Sequence, residues 1–126
     1  MKTPPYLTLL VMIFAVSCAP RGTAAVSHTV VLWLKAPGNE AHRQTIIEET
    51  QKLASIPGVL SVSVGPCIES DRAIVDSTFD VAITMTFPSV DVMHQYIEHP
   101  THQRMVKEKL MPLVDKIKVF DFRIQQ

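Results

Sequence analysis

An excess of charge of one sign is missing from this chain: 12 Lys+Arg stand against 12 Asp+Glu, and with neutral histidines it carries no net charge. A dedicated nucleic-acid binder needs a basic surface, so no nucleic-acid partner is expected. Cysteine is scarce, and two in 126 residues cannot make a disulfide framework. No apolar run reaches the roughly twenty residues of a membrane-spanning helix. The run from Tyr6 to Val16 is too short and ends at Pro20-Arg21-Gly22. Also absent are C-x-x-C, H-E-x-x-H, G-x-S-x-G, a P-loop and a dinucleotide fingerprint. No repeat, low-complexity tract or linker follows residue 26. What is there is 47% apolar and 19% charged residues, the composition of one globular domain.

The first 25 residues read as a secretory leader: Lys2, an apolar run, then Ser17, Cys18, Ala19 and Pro20. Two cleavage readings compete. Ala15-Val16-Ser17-Cys18 resembles a bacterial lipobox with Ala15 in the usual leucine place, which would leave Cys18 as a lipidated first residue. Cleavage near Ala24 or Ala25 would instead release a free protein. The lipoprotein reading is preferred, because a cysteine directly after Ser17 at the end of the run is an uncommon accident. Both readings imply export, to the periplasm or cell envelope, with membrane attachment only through the leader or a lipid. The mature domain, 26–126, keeps 10 basic and 12 acidic residues and all five histidines. A chain of this size supports one core. Cys67, its lone cysteine, reads as a small apolar residue.

His28 to Lys35 (HTVVLWLK) is a strand. Val30, Leu32 and Leu34 point one way and Val31 and Trp33 the other, so it should be central and covered on both faces. Asn39 is a helix N-cap, with Ile46, Thr50 and Leu53 in one row and Pro57-Gly58 as the stop. Val59 to Glu69 is a second strand with Leu60, Val62 and Val64 inward and a bend or bulge at Gly65-Pro66. Ser70 to Ser77 is a loop. Thr78 to Phe87 alternates, with Phe79, Val81, Ile83, Met85 and Phe87 on one face. Ser89 caps a helix bearing Val90, Met93 and Ile97, His99-Pro100 breaks it, and His102, Val106 and Leu110 continue an apolar stripe. Lys116 to Ile124 is the last strand. Its apolar phase shifts between Val119 and Phe120, pointing to a bulge or to two covered faces.

Strand, helix, strand, strand, broken helix, strand is the α+β, ferredoxin-like βαββαβ order with a four-stranded antiparallel sheet. Two helical segments cover one face of such a sheet. The first and last strands carry apolar residues on both faces, and a monomer rarely exposes so large a patch. A two-fold homodimer joined sheet to sheet, forming a dimeric α/β barrel, is therefore expected.

The segment Tyr96-Ile97-Glu98-His99-Pro100-Thr101-His102, with Phe79-Asp80-Val81-Ala82, Phe87-Pro88-Ser89, Asp121 and a first strand opening on His28, resembles the stress-responsive dimeric α/β-barrel (Dabb) family. The resemblance covers about residues 28–124. It implies a ferredoxin-like dimeric barrel with a cavity between helices and sheet. Some plant members are polyketide cyclases that perform aldol-type ring closure, and most bacterial members have no assigned reaction. By motif position the cyclase pair falls on Tyr96 and His102, with His28 as helper.

The residues read the same way chemically. A kink between Tyr96 and His102 can turn both toward one cavity, and His28 joins them only through tertiary contact. A neutral imidazole takes a proton near pH 7, while a phenol donates to a carbonyl whose α-carbon is losing one. This suits cyclase- or lyase-like acid–base chemistry on a small molecule. Structural readings stand beside these: His102 as a core histidine bonded to backbone, Tyr96 as a core ring, His99 as an orderer of the kink, His28 as a strand cap. Asp80 and Asp121 read as buried hydrogen-bond anchors. His94, His99 and His102, with Glu98 among them, do not converge as zinc ligands must, so no metal is expected, nor any other cofactor. The alternatives are a monooxygenase-like enzyme, cofactor-free or haem-dependent, on the sister barrel, and a non-enzymatic dimerising module of the envelope.

Overall fold

The computed structural model describes residues 25–125, so the leader reading, Cys18 included, lies outside the described residues except for Ala25. Strand β1 (Val26–Leu34) leads through Gly38, at φ +74°, into helix α1 (Glu40–Lys52). The Asn39 side chain accepts the His42 N–H at 3.0 Å, which supplies one of the helix's unpaired donors, and Glu40 lies against the positive end of the helix. A 3₁₀ turn (Leu53–Ser55) finishes the helix, and Gly58, at φ +91°, sends the chain back. A Cβ on Gly58 would run into the Val92 side chain, so this glycine also lets the next helix approach.

Strands β2 (Ser61–Pro66) and β3 (Val81–Phe87) follow, separated by a long loop. Ser89 caps α2 (Val90–Glu98), its Oγ accepting the Val92 N–H at 3.3 Å. Helix α3 (Pro100–Met105) runs into a π-helical turn (Val106–Leu110), and β4 (Val114–Arg123) ends the domain. All strand pairs are antiparallel, in the order β2-β3-β1-β4. The helices cover one face of the sheet. On it Leu32, Val81, Met85 and Phe87 meet Ile46, Leu53 and Met93, all at 4% exposure or less. Each such side chain contributes roughly 1.5–3 kcal/mol of transfer free energy.

The ferredoxin-like order and the antiparallel sheet are as expected, but the barrel is not. The sheet is open: β2 and β4 are its edges and do not pair with each other. Closure into a filled barrel takes about eight strands, and four twisted strands leave two free edges. Strand β1 is central, as its composition demands, yet only its helix-side face is covered by a layer of this chain. The face carrying Val31 and Trp33 is not.

Three local expectations also change. Strand β2 is shorter than Val59 to Glu69 and keeps its register through Gly65↔Ala82 and Pro66↔Val81 without a bulge. Leu60 lies just outside it and is 61% exposed, although its N–H donates to the Thr86 carbonyl of β3 at 2.9 Å. Strand β3 begins at Val81, not Thr78, because Asp80 is occupied elsewhere. Its buried carboxylate accepts the Leu34 N–H at 2.9 Å and the Gly38 N–H at 2.7 Å. Phe79 is thereby released to pack edge-on against Trp33, ring centroids 6.4 Å apart. In β4 the register shift lies opposite Trp33/Leu34, not between Val119 and Phe120. The strand simply presents Ile117 and Val119 on the helix side and Phe120 and Phe122 on the other.

Candidate functional site

A cavity of about 210 Å³ lies between the helices and the sheet, where α1, the α3–π segment, β1, β3 and β4 meet. Its wall is apolar except for His28, Thr50, Tyr96 and His102. The half-exposed Ile117 and Val119 of β4 also border it.

The break at His99-Pro100 builds the centre of this site. His99 closes α2, its N–H donating to the Tyr96 carbonyl at 3.1 Å, and opens α3, its Nδ1 accepting the Thr101 N–H at 3.2 Å. Its backbone is extended at ψ 133°, as a residue before proline prefers. The ring of His99 is thus a cap, in keeping with its expected part in ordering the kink. The change of direction brings Tyr96 and His102 together with ring centroids 4.6 Å apart. Phe87 supports Tyr96 from the sheet at 4.9 Å. His28 approaches Tyr96 edge-on at 6.4 Å, so two imidazoles pack against the phenol ring.

The protonation states follow from partners and burial. His102 Nδ1 lies 2.9 Å from the Ile97 carbonyl oxygen. A carbonyl only accepts, so Nδ1 carries the proton and Nε2 keeps its lone pair. Burial pushes the His102 pKa below its ordinary 6.5, with the Ile97 bond opposing and His28 and His99 reinforcing the shift. His102 is therefore a neutral base at pH 7. Burial pushes the Tyr96 phenol well above its ordinary value, so it stays protonated and acts as a donor. No hydrogen-bond partner of the Tyr96 hydroxyl exists among the described residues. His28 sits directly opposite Asp121 in the β1–β4 register, and its Nδ1 donates to Asp121 Oδ1 at 2.7 Å. That bond fixes the orientation of the second imidazole, with Nδ1 turned toward Asp121.

Tyr96, His102 and His28, the three residues read from the sequence, thus line one cavity. His94 and Glu98 do not join them, and no three His, Cys, Asp or Glu groups are gathered to hold a metal among the described residues. Asp80 is the buried anchor expected of it. Asp121 is not: its side chain is 44% exposed and serves as the partner of His28. Sequence reasoning missed that pairing, which depends on strand register. It also missed Thr50, which looked like one member of an apolar helix row.

Comparison with known proteins agrees with this fold. Residues 26–124 match the model of the stress-responsive A/B barrel domain. A stress-response A/B barrel domain-containing protein of Arabidopsis thaliana is 26% identical over 97 residues, covering 77% of this chain. The chain spans 36% of the length of that relative. Among solved structures, the hydroxynitrile lyase of Passiflora edulis superposes with a TM-score of 0.69 at 25% identity, over 82% of this chain and 95% of the other. A dimeric ferredoxin-like protein of Jannaschia sp. superposes with a TM-score of 0.64 at 23% identity, over 79% and 99%, a likeness of fold. With nearly the whole described domain matched, and the Tyr96–His102 break in place, this chain belongs to the stress-responsive A/B barrel domain family.

Proposed function

We propose that this domain binds a compact, neutral carbonyl compound in the cavity and performs lyase- or cyclase-type acid–base chemistry on it. The observation that carries the reading is a phenol packed against two imidazoles in an otherwise apolar wall. In the lyase direction, His102 Nε2 removes the proton of a carbinol hydroxyl while the Tyr96 hydroxyl donates to the same oxygen. The carbon–carbon bond breaks, the oxygen becomes a carbonyl, and the departing carbanion takes the proton from His102. The cyclase direction is the reverse: His102 takes the α-proton, the enolate attacks a second carbonyl, and the new alkoxide recovers the proton. His28, held by Asp121, packs edge-on against the Tyr96 ring and keeps it in place. The likeness to a hydroxynitrile lyase supports the lyase direction.

The cavity is smaller than the roughly 300–1,000 Å³ of drug-sized ligand sites. That size favours a compact ligand over the haem-dependent monooxygenase-like reading. The protein acts as a homodimer, a reading supported by exposed Phe120 and Phe122 on the uncovered sheet face and by the dimeric relative. The leader composition supports export, with Cys18 as the lipid anchor.

The test is turnover of a cyanohydrin such as mandelonitrile, and of β-hydroxy ketones, by the wild type, Tyr96→Phe and His102→Gln. Loss of about 10²–10⁴-fold in kcat is expected for His102→Gln. Equal turnover and ligand affinity in all three proteins would refute the assignment.

A further inference from the structure

We infer that Thr50 is a ligand-binding residue and that the molecule filling the cavity carries a second oxygen function that pairs with its hydroxyl. The inference rests on the proposed reading of the cavity. Thr50 is wholly buried, belongs to the cavity wall, and its Oγ1 has no hydrogen-bond partner among the described residues. A threonine inside a helix ordinarily donates to the carbonyl four residues earlier, and Thr45 of the same helix does so, to Ala41 at 2.9 Å. Thr50 forgoes that bond in a place where bulk water cannot replace it.

An unpaired buried hydroxyl destabilises the empty domain relative to a methyl group, and a ligand oxygen offsets that. The rest of the wall restricts the class further. It contains no lysine, arginine, aspartate or glutamate, so a formal charge on the ligand would be buried unpaired. Its remaining polar atoms belong to His28, Tyr96 and His102. The ligand is therefore small, neutral and largely apolar, with one oxygen at the Tyr96–His102 pair and another at Thr50. Hydroxy- or oxo-substituted aldehydes and ketones fit this description.

The experiment is titration of the full chain with benzaldehyde and its 2-, 3- and 4-hydroxy isomers. Wild type should bind one isomer about tenfold tighter than benzaldehyde, the fold-change of one neutral hydrogen bond. Thr50→Val should remove that preference and unfold at or above the wild-type temperature. Thr50→Ser should restore the preference. A preference that survives in Thr50→Val, or no preference in wild type, overturns the inference while leaving the Tyr96–His102 reading standing. Benzaldehyde affinity unchanged by Tyr96→Phe overturns that reading separately, and failure of wild type to bind any aldehyde overturns both.

Discussion

Tyr96 and His102 stand with ring centroids 4.6 Å apart, their planes inclined by 50°, on opposite sides of the break at His99-Pro100. In a straight helix, residues six apart point in different directions, because neighbours on one face are three or four apart. The pair exists because His99 ends one helix and caps the next.

Replacing His99 by alanine removes the cap on the Thr101 N–H. A loss of about 1 kcal/mol is expected from urea unfolding. Ligand affinity should fall along with stability, since the break also sets the distance between Tyr96 and His102.

The depressed pKa of His102 gives a stability profile of definite sign. The unfolded chain binds this proton near 6.5 and the folded chain only at lower pH. The contribution is therefore present above the unfolded value and is lost as pH falls through the folded one. Unfolding followed from about pH 7.5 down to about pH 4.5 should show His102→Gln with a shallower acid loss than wild type. Parallel curves would contradict the burial effect.

The bond between His28 and Asp121 should hold the His28 proton on Nδ1. Nitrogen NMR of Asp121→Ala should show His28 exchanging between tautomers, while wild type shows one. The variant should unfold close to the wild-type midpoint, because the Asp121 side chain is 44% exposed.

Asp80 should matter more for stability than for binding. Asp80→Asn replaces one acceptor oxygen by a donor facing the Leu34 or Gly38 N–H. A cost of about 2–3 kcal/mol is expected, the range for a hydrogen bond to a charged group. Ligand affinity of the folded variant should stay near wild type, since Asp80 is not part of the cavity wall.

Phe120 and Phe122, 52% and 56% exposed, should carry the subunit contact. Phe122→Asp should shift sedimentation toward monomer, with a dimer dissociation constant raised at least about tenfold, as for burying an unpaired charge. An unchanged dimer would move the interface off this face.

Elements set by local pattern were legible from the residues alone. Asn39, Ser89 and Pro100 mark helix starts through capping and φ restriction, and alternation from Val81 to Phe87 marks a strand. The Tyr96-to-His102 string even located the site. The start of β3 was not legible, because it depends on where Asp80 finds its donors, Leu34 and Gly38, more than forty residues away in sequence. Whether the sheet closes was not legible either: residue order shows how many strands there are, while pairing between the edge strands is a matter of tertiary geometry.

Short-range rules of backbone preference and hydrophobic spacing thus determined the element order, and the family resemblance of the Tyr96-to-His102 string pointed to three polar residues of the cavity. Only the folded arrangement decided that Asp121 holds His28, that Thr50 is left without a partner, and that β4 lies uncovered beyond Val114. Those facts come from strand register and packing across long sequence separations, which a linear pattern does not encode.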